Sequence, residues 1–387
     1  MPFAAALSQH PVATHAVGEV VGQVLDALGE APDAAVLFVT GPFAGAMEDI
    51  AATVRSTLQP GALIGVTAAS VLAGDREVEQ QPAISLLAMK FGARRPGAAP
   101  LARAAAFRVS PTATGYEVDG DIDIAVPGAT VVLLADPFTF PVDDFVDDLT
   151  GRAAGLTVVG GLASSAVGPG GNRLVADATV LDRGAVALVL APGIGARALV
   201  SQGCRPVGEP LVITKATGNV IEEIAGQPAL DRVMAQADAA SPQDRSGMAR
   251  ALQVGLVTDE RKDTFESDDF LIRPVLGADH ERRAVAVGAP VEIGTTVQFH
   301  VRDADSAHDE LQRLLVDAAG AAALVFTATG RGTALFGEPH HDAHAVATAL
   351  DSHAVAGMFS AGEIGPVGTR HVVHDMTTTV LLLDDPC

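Results

Sequence analysis

The stretch Gly357-Met-Phe-Ser-Ala-Gly-Glu-Ile-Gly-Pro-Val-Gly368 follows one apolar run and precedes another. It combines four glycines with a single carboxylate, Glu363. Because glycine has no Cβ, it lets the backbone turn sharply and approach a ligand closely. The pattern predicts a glycine-rich loop between two strands, with Glu363 placed to accept a hydrogen bond from a bound ammonium or hydroxyl group.

The unit that contains this loop occurs three times in the chain. Each occurrence reads as a buried strand, a helix, a second strand, a glycine-containing loop and a closing strand. The predicted segments are 35–40, 44–58, 62–67 and 84–91 in the first repeat, 131–135, 142–154, 157–161 and 185–190 in the second, and 322–327, 344–350, 355–359 and 377–383 in the third. Val36 and Gly65 are 29 positions apart, as are Val131 and Gly160, which favours a true repeat.

These repeats predict an α/β fold of mixed α+β character, with repeated β-α-β-β units forming mixed sheets in two domains. The first strand of each unit is a continuous apolar run, which is typical of strands covered on both faces. A right-handed crossover makes the first two strands parallel, and the short connection to the closing strand implies an antiparallel return. A different, β-rich region lies between the second and third repeats, with a polar loop predicted at 239–250. We place the domain boundary near residue 230, which gives an N-terminal segment 1–30 and domains 31–230 and 231–387.

The composition restricts the partners of the protein. Its 387 residues include 47 acidic and 25 basic side chains, for a net charge of −22. A surface this negative repels nucleic-acid phosphates and anionic lipid headgroups, so we expect neither nucleic acid nor membrane as a partner. The two cysteines, Cys204 and Cys387, cannot form a disulfide framework or a zinc pattern. With no signal peptide and no apolar run of membrane-spanning length, we expect a cytoplasmic protein.

Several motifs resemble those of the FIST family. Ile64-Gly-Val-Thr67 followed by Arg76-Glu77 is similar to the signature of the FIST N-terminal domain. The segments 203–208 and 212–215 resemble the strand that leads into the FIST C-terminal domain, and Gly330-Arg-Gly332 with the glycine-rich stretch 357–366 resembles the end of that domain. His374 and Thr377 fit its closing strand. The resemblance extends from about residue 32 to the end and implies a FIST N-terminal domain at 31–230 and a FIST C-terminal domain at 231–387.

Membership of this family implies a sensory module that binds a small ligand, such as an amino acid, in signal transduction. Members occur alone, beside bacterial signalling domains or fused to an F-box in eukaryotes. We therefore expect a bacterial sensor that acts through a signalling partner protein. Many relatives carry Cys or Asn just before Gly-Arg-Gly. Here Phe326-Thr-Ala-Thr-Gly330 replaces any thiol or amide with the hydroxyls of Thr327 and Thr329.

Arg331 and Glu363 are the main candidates for ligand contact. An amino acid needs a cationic partner for its carboxylate and an anionic partner for its ammonium group. The guanidinium of Arg331 can hold a carboxylate through two hydrogen bonds, and Glu363 can accept from the ammonium group. The alternative is an ion pair between Arg331 and a neighbour, with Glu363 as one such neighbour.

The other predicted ligand-binding residues lie around these two. Gly332, Gly362 and Gly365 provide bare backbone, and His374 is a candidate hydrogen-bonding group near the glycine-rich stretch. Further ligand contacts are predicted in the first repeat at Thr67 and Arg76. A structural role competes with each of these assignments, because turns, caps and surface ion pairs use the same residue types.

No cofactor or metal is predicted. His340, His341 and His344 cluster with Asp342, but the sequence has no His-Glu-x-x-His pattern, and polar residues are expected where a helix begins. No Gly-x-Gly-x-x-Gly opens a helix after a strand, and no Gly-Lys-Ser/Thr occurs, so nucleotide binding is not indicated.

The favoured interpretation is a small-ligand sensor without catalytic activity. One alternative is an enzyme that uses the same glycine-rich site, with Glu363 as base and His374 as acid. A second alternative is a scaffold or interaction protein whose loops bind no ligand.

Overall fold

The structure is a computed structural model, and it describes residues 2–92, 99–112, 115–120, 123–266, 269–368 and 370–385. Cys387 lies outside these residues. The chain divides into two compact units. Unit 1 consists of Met1–Val200, Gln312–Pro366 and His371–Cys387, and unit 2 of Ser201–Leu311 and Val367–Arg370. Unit 2 therefore interrupts the sequence of unit 1, and the boundary at residue 230 stays a prediction about sequence domains.

The three predicted repeats lie mainly in unit 1. Each is longer than predicted, because it begins with a further strand that joins the same sheet. The first repeat contains β1 (Phe3–Ser8), α1 (Ala13–Leu28), β2 (Ala34–Thr40), a 3₁₀ helix (Gly41–Ala46), α2 (Met47–Leu58), β3 (Leu63–Ala68), β4 (Ser70–Ala73), β5 (Arg76–Glu79) and β6 (Ile84–Met89). The second contains β7 (Ala102–Thr112), β8 (Gly115–Gly120), β9 (Thr130–Ala135), α3 (Val142–Arg152), β10 (Thr157–Leu162), β11 (Leu174–Ala176), β12 (Thr179–Leu181) and β13 (Ala185–Leu190).

The third repeat begins at β14 (Ala196–Ser201) and resumes after most of unit 2. Between them lie β15 (Cys204–Thr217), β16 (Val220–Ile224), β17 (Gln227–Pro228), α4 (Ala229–Ala239), α5 (Pro242–Ala251), β18 (Leu252–Val257), β19 (Phe270–Asp279), β20 (Ala284–Val287), β21 (Thr296–Arg302) and α6 (Ala304–Leu315). The repeat then continues with β22 (Ala322–Ala328), α7 (Thr333–Phe336), α8 (His341–Leu350), β23 (Val355–Ser360), β24 (Glu363–Val367), β25 (Arg370–His374) and β26 (Thr378–Leu383).

The segments predicted as glycine-rich loops contain hairpins. In the first and third repeats strands take up most of the segment, so the loop prediction was wrong there, whereas in the second repeat Gly168, Gly170 and Gly171 lie in a loop that precedes the hairpin. The hairpins are β4–β5, β11–β12 and β24–β25, and each one pairs with a strand of a different repeat. The hairpin of the first repeat extends the sheet of the third, the third extends the second, and the second extends the first. We call them the exchanged hairpins. Local sequence patterns could not reveal strands whose partners lie in another repeat.

The exchange produces three mixed sheets, with strand orders β1-β6-β2-β3-β11-β12, β25-β24-β10-β9-β13-β7-β8 and β14-β26-β22-β23-β4-β5. In each sheet the two central strands are parallel and the closing strand returns antiparallel, as in β2–β3 and β2–β6. The predicted α/β architecture of mixed sheets is therefore confirmed. Side chains from all three sheets form one core, in which Phe38 and Phe326 contact edge to face at 6.1 Å.

Three glycines occupy the same position of the repeats, opposite the neighbouring parallel strand. Gly65, Gly160 and Gly357 pair with Leu37, Leu133 and Val325. A Cβ would lie 2.9 Å from the facing carbonyl oxygen at Gly65, and 1.9 Å from it at both Gly160 and Gly357. The glycines therefore permit close packing of two backbones.

Unit 2 is built on a strongly bent sheet with strand order β15-β21-β18-β19-β20-β16-β17. An additional pairing between β15 and β16 closes it into a barrel around an apolar interior that includes Ile213, Val254 and Phe299. The polar stretch 239–250 was predicted as a loop, but most of it forms α5. Ser241 caps this helix by accepting from the backbone N–H of Asp244, and Pro242 fits its first position. Among the described residues, no helix is long and apolar enough to cross a membrane.

Candidate functional site

The loops that carry Arg331 and Glu363 start at adjacent strand ends in unit 1. Ala328 at the end of β22 pairs with Ser360 at the end of β23. The backbone N–H of Thr329 donates to the carbonyl of Ser360 at 3.0 Å. Because β22 and β23 are parallel, their carboxyl ends meet at the same sheet edge, which is a common location for ligand sites in α/β folds.

Arg331 is fully buried and forms an ion pair with Asp342 of α8. Its Nε lies 2.8 Å from Asp342 Oδ2 and its Nη2 lies 2.9 Å from Oδ1, so the pair is held by two hydrogen bonds. The guanidinium carbon also lies 5.2 Å from the centre of the Phe336 ring. The sequence left Glu363 as one possible partner of Arg331, and the structure shows that Asp342 takes this role.

The carboxylate of Asp342 is the centre of a buried polar cluster. Besides Arg331, it accepts hydrogen bonds from Thr327 at 2.5 Å and Thr378 at 2.8 Å, and it lies 2.9 Å from Nδ1 of His341. Burial alone would raise the pKa of Asp342, but the Arg331 charge and these hydrogen bonds hold that pKa far below its usual value. Asp342 is therefore ionised across the physiological range.

Glu77 brings a second carboxylate to this cluster from the first repeat. It lies in β5 of the exchanged hairpin, and its oxygens accept the backbone N–H groups of His340, Asp342 and Ala343, each at 3.0 Å. In return, its own N–H donates to Nδ1 of His340 at 3.0 Å. Burial and the nearby Asp342 charge raise the pKa of Glu77 to about 7, although the hydrogen bonds oppose this shift. Glu77 thus caps α8, and near neutral pH its protonated and ionised forms are present in similar amounts.

Glu363 is also completely buried. One carboxyl oxygen accepts from the hydroxyl of Ser360 at 2.9 Å, and the other accepts from both the backbone N–H and the hydroxyl of Thr377 at 2.9 Å. Burial raises the pKa of Glu363 to about 8 despite these bonds. At neutral pH the side chain is mainly a protonated acid.

The remaining predicted residues of the third repeat are packed against protein. Gly332 has φ +59°, and a Cβ there would lie 2.8 Å from the Phe359 ring. Gly362 and Gly365 are equally crowded by neighbouring side chains. His374 is buried, and its Nε2 lies 3.2 Å from the Gly365 carbonyl oxygen.

The two predicted residues of the first repeat lie apart from each other. Thr67 is buried at the end of β3, where its hydroxyl accepts from the backbone N–H of Arg173 at 2.9 Å. Arg76 begins β5 on the surface, and its guanidinium donates to Gln9 at 3.0 Å. Their ligand contacts stay predictions, as do those of the third repeat.

Sequence reasoning did not identify Glu77 and Asp342 as site residues. Glu77 reads as one half of a surface pair with Arg76, and Asp342 reads as a polar residue at a helix start. Their backbone-to-carboxylate bond joins positions that are 265 residues apart, and no local pattern signals it. Within the described residues, no group of three or more His, Cys, Asp or Glu side chains is arranged to hold a metal ion.

Comparison with known proteins agrees with the motifs. The FIST N domain model matches residues 33–227, and the FIST C domain model matches residues 227–366. The chain is 35% identical over 393 residues to "Uncharacterized protein Rv0628c" of Mycobacterium tuberculosis, with 100% of both chains covered. It is 36% identical over 391 residues to "Uncharacterized protein Mb0898c" of Mycobacterium bovis, with 97% of both covered. FIST domains are in general sensory, ligand-binding domains of signal transduction. The protein, with both of these domains along its sequence, belongs to the FIST family.

Proposed function

We propose that this protein senses a small amino-acid-like ligand at the buried cluster of Arg331, Asp342 and Glu77, here called the Arg331 cluster, and reports its presence to a partner protein. The observation that carries the proposal is the buried Arg331–Asp342 pair, which Glu77 connects to an exchanged hairpin. Three buried carboxyl groups have strongly shifted pKa values: Glu77 in β5 of the third sheet, Asp342 on α8, and Glu363 in β24, directly after the end of β23. Such shifts concentrate at functional sites more often than elsewhere.

In this proposal Asp342 acts as an internal substitute for the ligand carboxylate. Removing one partner from a buried ion pair is costly, because it leaves an uncompensated charge. Exchanging one carboxylate for another avoids that cost, since Arg331 stays paired throughout. The ligand would therefore replace Asp342 on the guanidinium, and the conformation with Asp342 bound is the ligand-free state.

The replacement of Asp342 by the ligand carboxylate would be transmitted through α8 and the exchanged hairpin β4–β5. Asp342 is the second residue of α8, and its backbone N–H is bound by Glu77 of β5. Displacing Asp342 from Arg331 strains this cap and shifts the population between two packings of the helix on the sheet. A partner protein that recognises one packing would then read the ligand.

Glu363 supports an amino acid as the ligand class. It begins β24, directly after the strand end next to the Arg331 loop, so a guanidinium and a carboxyl group follow neighbouring strand ends. Because the pKa of Glu363 is about 8, an approaching ammonium group would favour its ionised form. The same raised pKa suits a general acid or base, so an enzyme with Glu363 and His374 is the second candidate.

The scarcity of cysteine favours a cytoplasmic location.

Calorimetric titration of the full chain with a panel of amino acids tests the proposal, after native mass spectrometry has identified any co-purified metabolite. Arg331→Gln should abolish binding, whereas Asp342→Asn should strengthen it, because the amide no longer competes for the guanidinium. The matched control is Arg55→Gln, which breaks the surface pair with Asp177 and should leave binding unchanged. Circular dichroism verifies that each variant is folded.

Two results would reject this proposal. If folded Asp342→Asn protein binds no more tightly than the unaltered protein, Asp342 is not an internal competitor. If folded Arg331→Gln protein keeps its affinity, the ligand binds elsewhere. Turnover of a bound amino acid that is lost in Glu363→Gln would favour the enzyme instead.

A further inference from the structure

The closing strands of the three repeats end around a single cavity of unit 1. Lys90, Ala191 and Asp384 each lie one residue past a closing strand, which is β6, β13 or β26. Each donates its backbone N–H to the carbonyl of the residue that precedes the first strand of a repeat, with partners Pro2 at 2.7 Å, Leu101 at 2.8 Å and Gly195 at 3.0 Å. The same hydrogen bond therefore recurs in all three repeats, and residues next to each of the three bonds line one cavity.

The cavity next to these hydrogen bonds has apolar walls. Its volume is about 380 Å³, near the lower end of the range for small-molecule sites. Phe91 comes from the first repeat, and Leu101, Pro192 and Ile194 come from the second or its connections. Phe91 contacts Phe3 edge to face at 6.2 Å, and both Phe91 and Ile194 pack against the common core. These contacts fix the wall, which suits a small apolar body.

The third repeat adds two carboxylates, Asp384 and Asp385, to the same cavity. Among the described residues that line it, none carries a positive charge. Asp384 is positioned rather than freely extended. Its backbone is bound to Gly195, and a Cβ on Gly195 would lie 2.4 Å from its Oδ2 atom. The cavity therefore combines an apolar wall with two exposed carboxylates.

We propose that this cavity binds a small organic ammonium ion, with the charged nitrogen at Asp384 and Asp385 and the carbon body against Phe91, Leu101 and Ile194. The carboxylates supply charge-assisted hydrogen bonds to the N–H groups. The aromatic face of Phe91 adds a favourable interaction with a nearby cation. An anion of the same shape is repelled, and a neutral molecule keeps only the apolar contacts. This site is separate from the Arg331 cluster, which is proposed to hold a carboxylate.

The test uses three probes that share one carbon skeleton: phenethylamine, phenethyl alcohol and phenylacetate. Calorimetric titration of the full chain at neutral pH should show saturable binding of the amine, with a Kd at least about tenfold below that of the alcohol. Phenylacetate should not bind. The double variant Asp384→Asn/Asp385→Asn should weaken amine binding by about tenfold or more and leave the alcohol unaffected. Added salt should weaken the binding of the amine and leave the binding of the alcohol unchanged.

The matched control removes two exposed charges elsewhere. Asp143→Asn/Asp144→Asn on α3 changes the net charge equally and should leave amine affinity within about twofold. Gly195→Ala, which crowds Asp384, should weaken amine binding, provided that circular dichroism shows the variant to be folded. The proposal is overturned if the unaltered protein shows no saturable amine binding, if the alcohol binds as tightly as the amine, or if the control variant loses as much affinity as the Asp384/Asp385 variant.

Discussion

The carboxylate of Glu77 caps the helix that carries Asp342: its Oε1 lies 3.0 Å from the Asp342 backbone nitrogen, across 265 positions of sequence. One residue belongs to the exchanged hairpin of the first repeat and the other to α8 of the third. The contact fixes the start of α8 and at the same time holds the Asp342 carboxylate toward Arg331. It also places two carboxyl groups close together, which is one reason for the raised pKa of Glu77.

Removing this cap should destabilise unit 1 more than an ordinary N-cap loss. Glu77→Ala leaves three backbone N–H groups at the start of α8 without their acceptor, those of His340, Asp342 and Ala343. We expect a loss of about 2–4 kcal/mol, against about 1 kcal/mol for a typical cap. Urea unfolding followed by circular dichroism measures the difference. Glu48→Ala, an exposed residue in the first turn of α2, is the control and should change stability by less than about 0.5 kcal/mol. An equal effect of the two substitutions would contradict the capping role.

The stability of unit 1 should fall as the pH rises from about 5 to about 8. Glu77 and Glu363 have ordinary pKa values of 4.5, and folding raises them to about 7 and about 8. Between the unfolded and folded values the native state binds more protons, so stability decreases with pH until both groups are ionised. The total loss is on the order of 5–10 kcal/mol.

Thermal unfolding across this pH range tests the linkage. Glu77→Gln should flatten the dependence up to about pH 7, and Glu363→Gln should flatten it up to about pH 8, because the amide mimics the protonated acid. The exposed Glu48→Gln should reproduce the unaltered profile. Profiles that keep their full slope in both buried variants would show that other groups set the pH dependence.

Unit 2 should respond to pH in the opposite direction. His300 is buried beside Phe270, with 5.3 Å between ring centres, and burial lowers its pKa from 6.5 to about 4. The native state therefore binds fewer protons than the unfolded state between these values, and stability is lost as the pH falls from about 6.5 to about 4. His300→Gln should reduce this acid sensitivity, as measured by hydrogen exchange of the barrel strands. The exposed His280→Gln is the control, and an equal change there would contradict the assignment.

Gly357→Ala should be among the most damaging single-methyl additions in the protein. A Cβ at this position would lie 1.9 Å from the Val325 carbonyl oxygen, so the parallel pair β22–β23 must separate. We expect a loss of more than about 3 kcal/mol, with a smaller loss for Gly65→Ala, where the distance is 2.9 Å. Denaturant unfolding provides the measurement.

Gly22→Ala is the matched control for this series. Gly22 lies in α1, and a Cβ added there would meet no neighbouring group within 4 Å, so the substitution should stabilise the protein by up to about 1 kcal/mol. If Gly357→Ala were tolerated as well as Gly22→Ala, the close strand approach would not be a constraint on this fold.

Local patterns of residues were sufficient to predict the units from which the fold is built. The apolar runs at 131–135 and 322–327 and the glycine spacing identified the parallel strand pairs, because burial on both faces leaves a signal within a few residues. The same patterns also brought Arg331 and Glu363 to neighbouring strand ends. The sequence also contains a start signal for α5, Ser241-Pro242, but the polarity of the residues that follow led to the prediction of a loop.

The contacts between these units, in contrast, became visible only in the folded protein. The stretch 357–368 supplies most of β23 and all of β24, the first strand of a hairpin whose partner strand lies in the second repeat. Helix α8 begins three residues earlier than predicted, because Glu77 of the first repeat binds its N–H groups. Arg331 pairs with Asp342 for the same reason. Propensity and periodicity are properties of neighbouring residues, whereas the energy of a buried charge depends on which distant groups surround it.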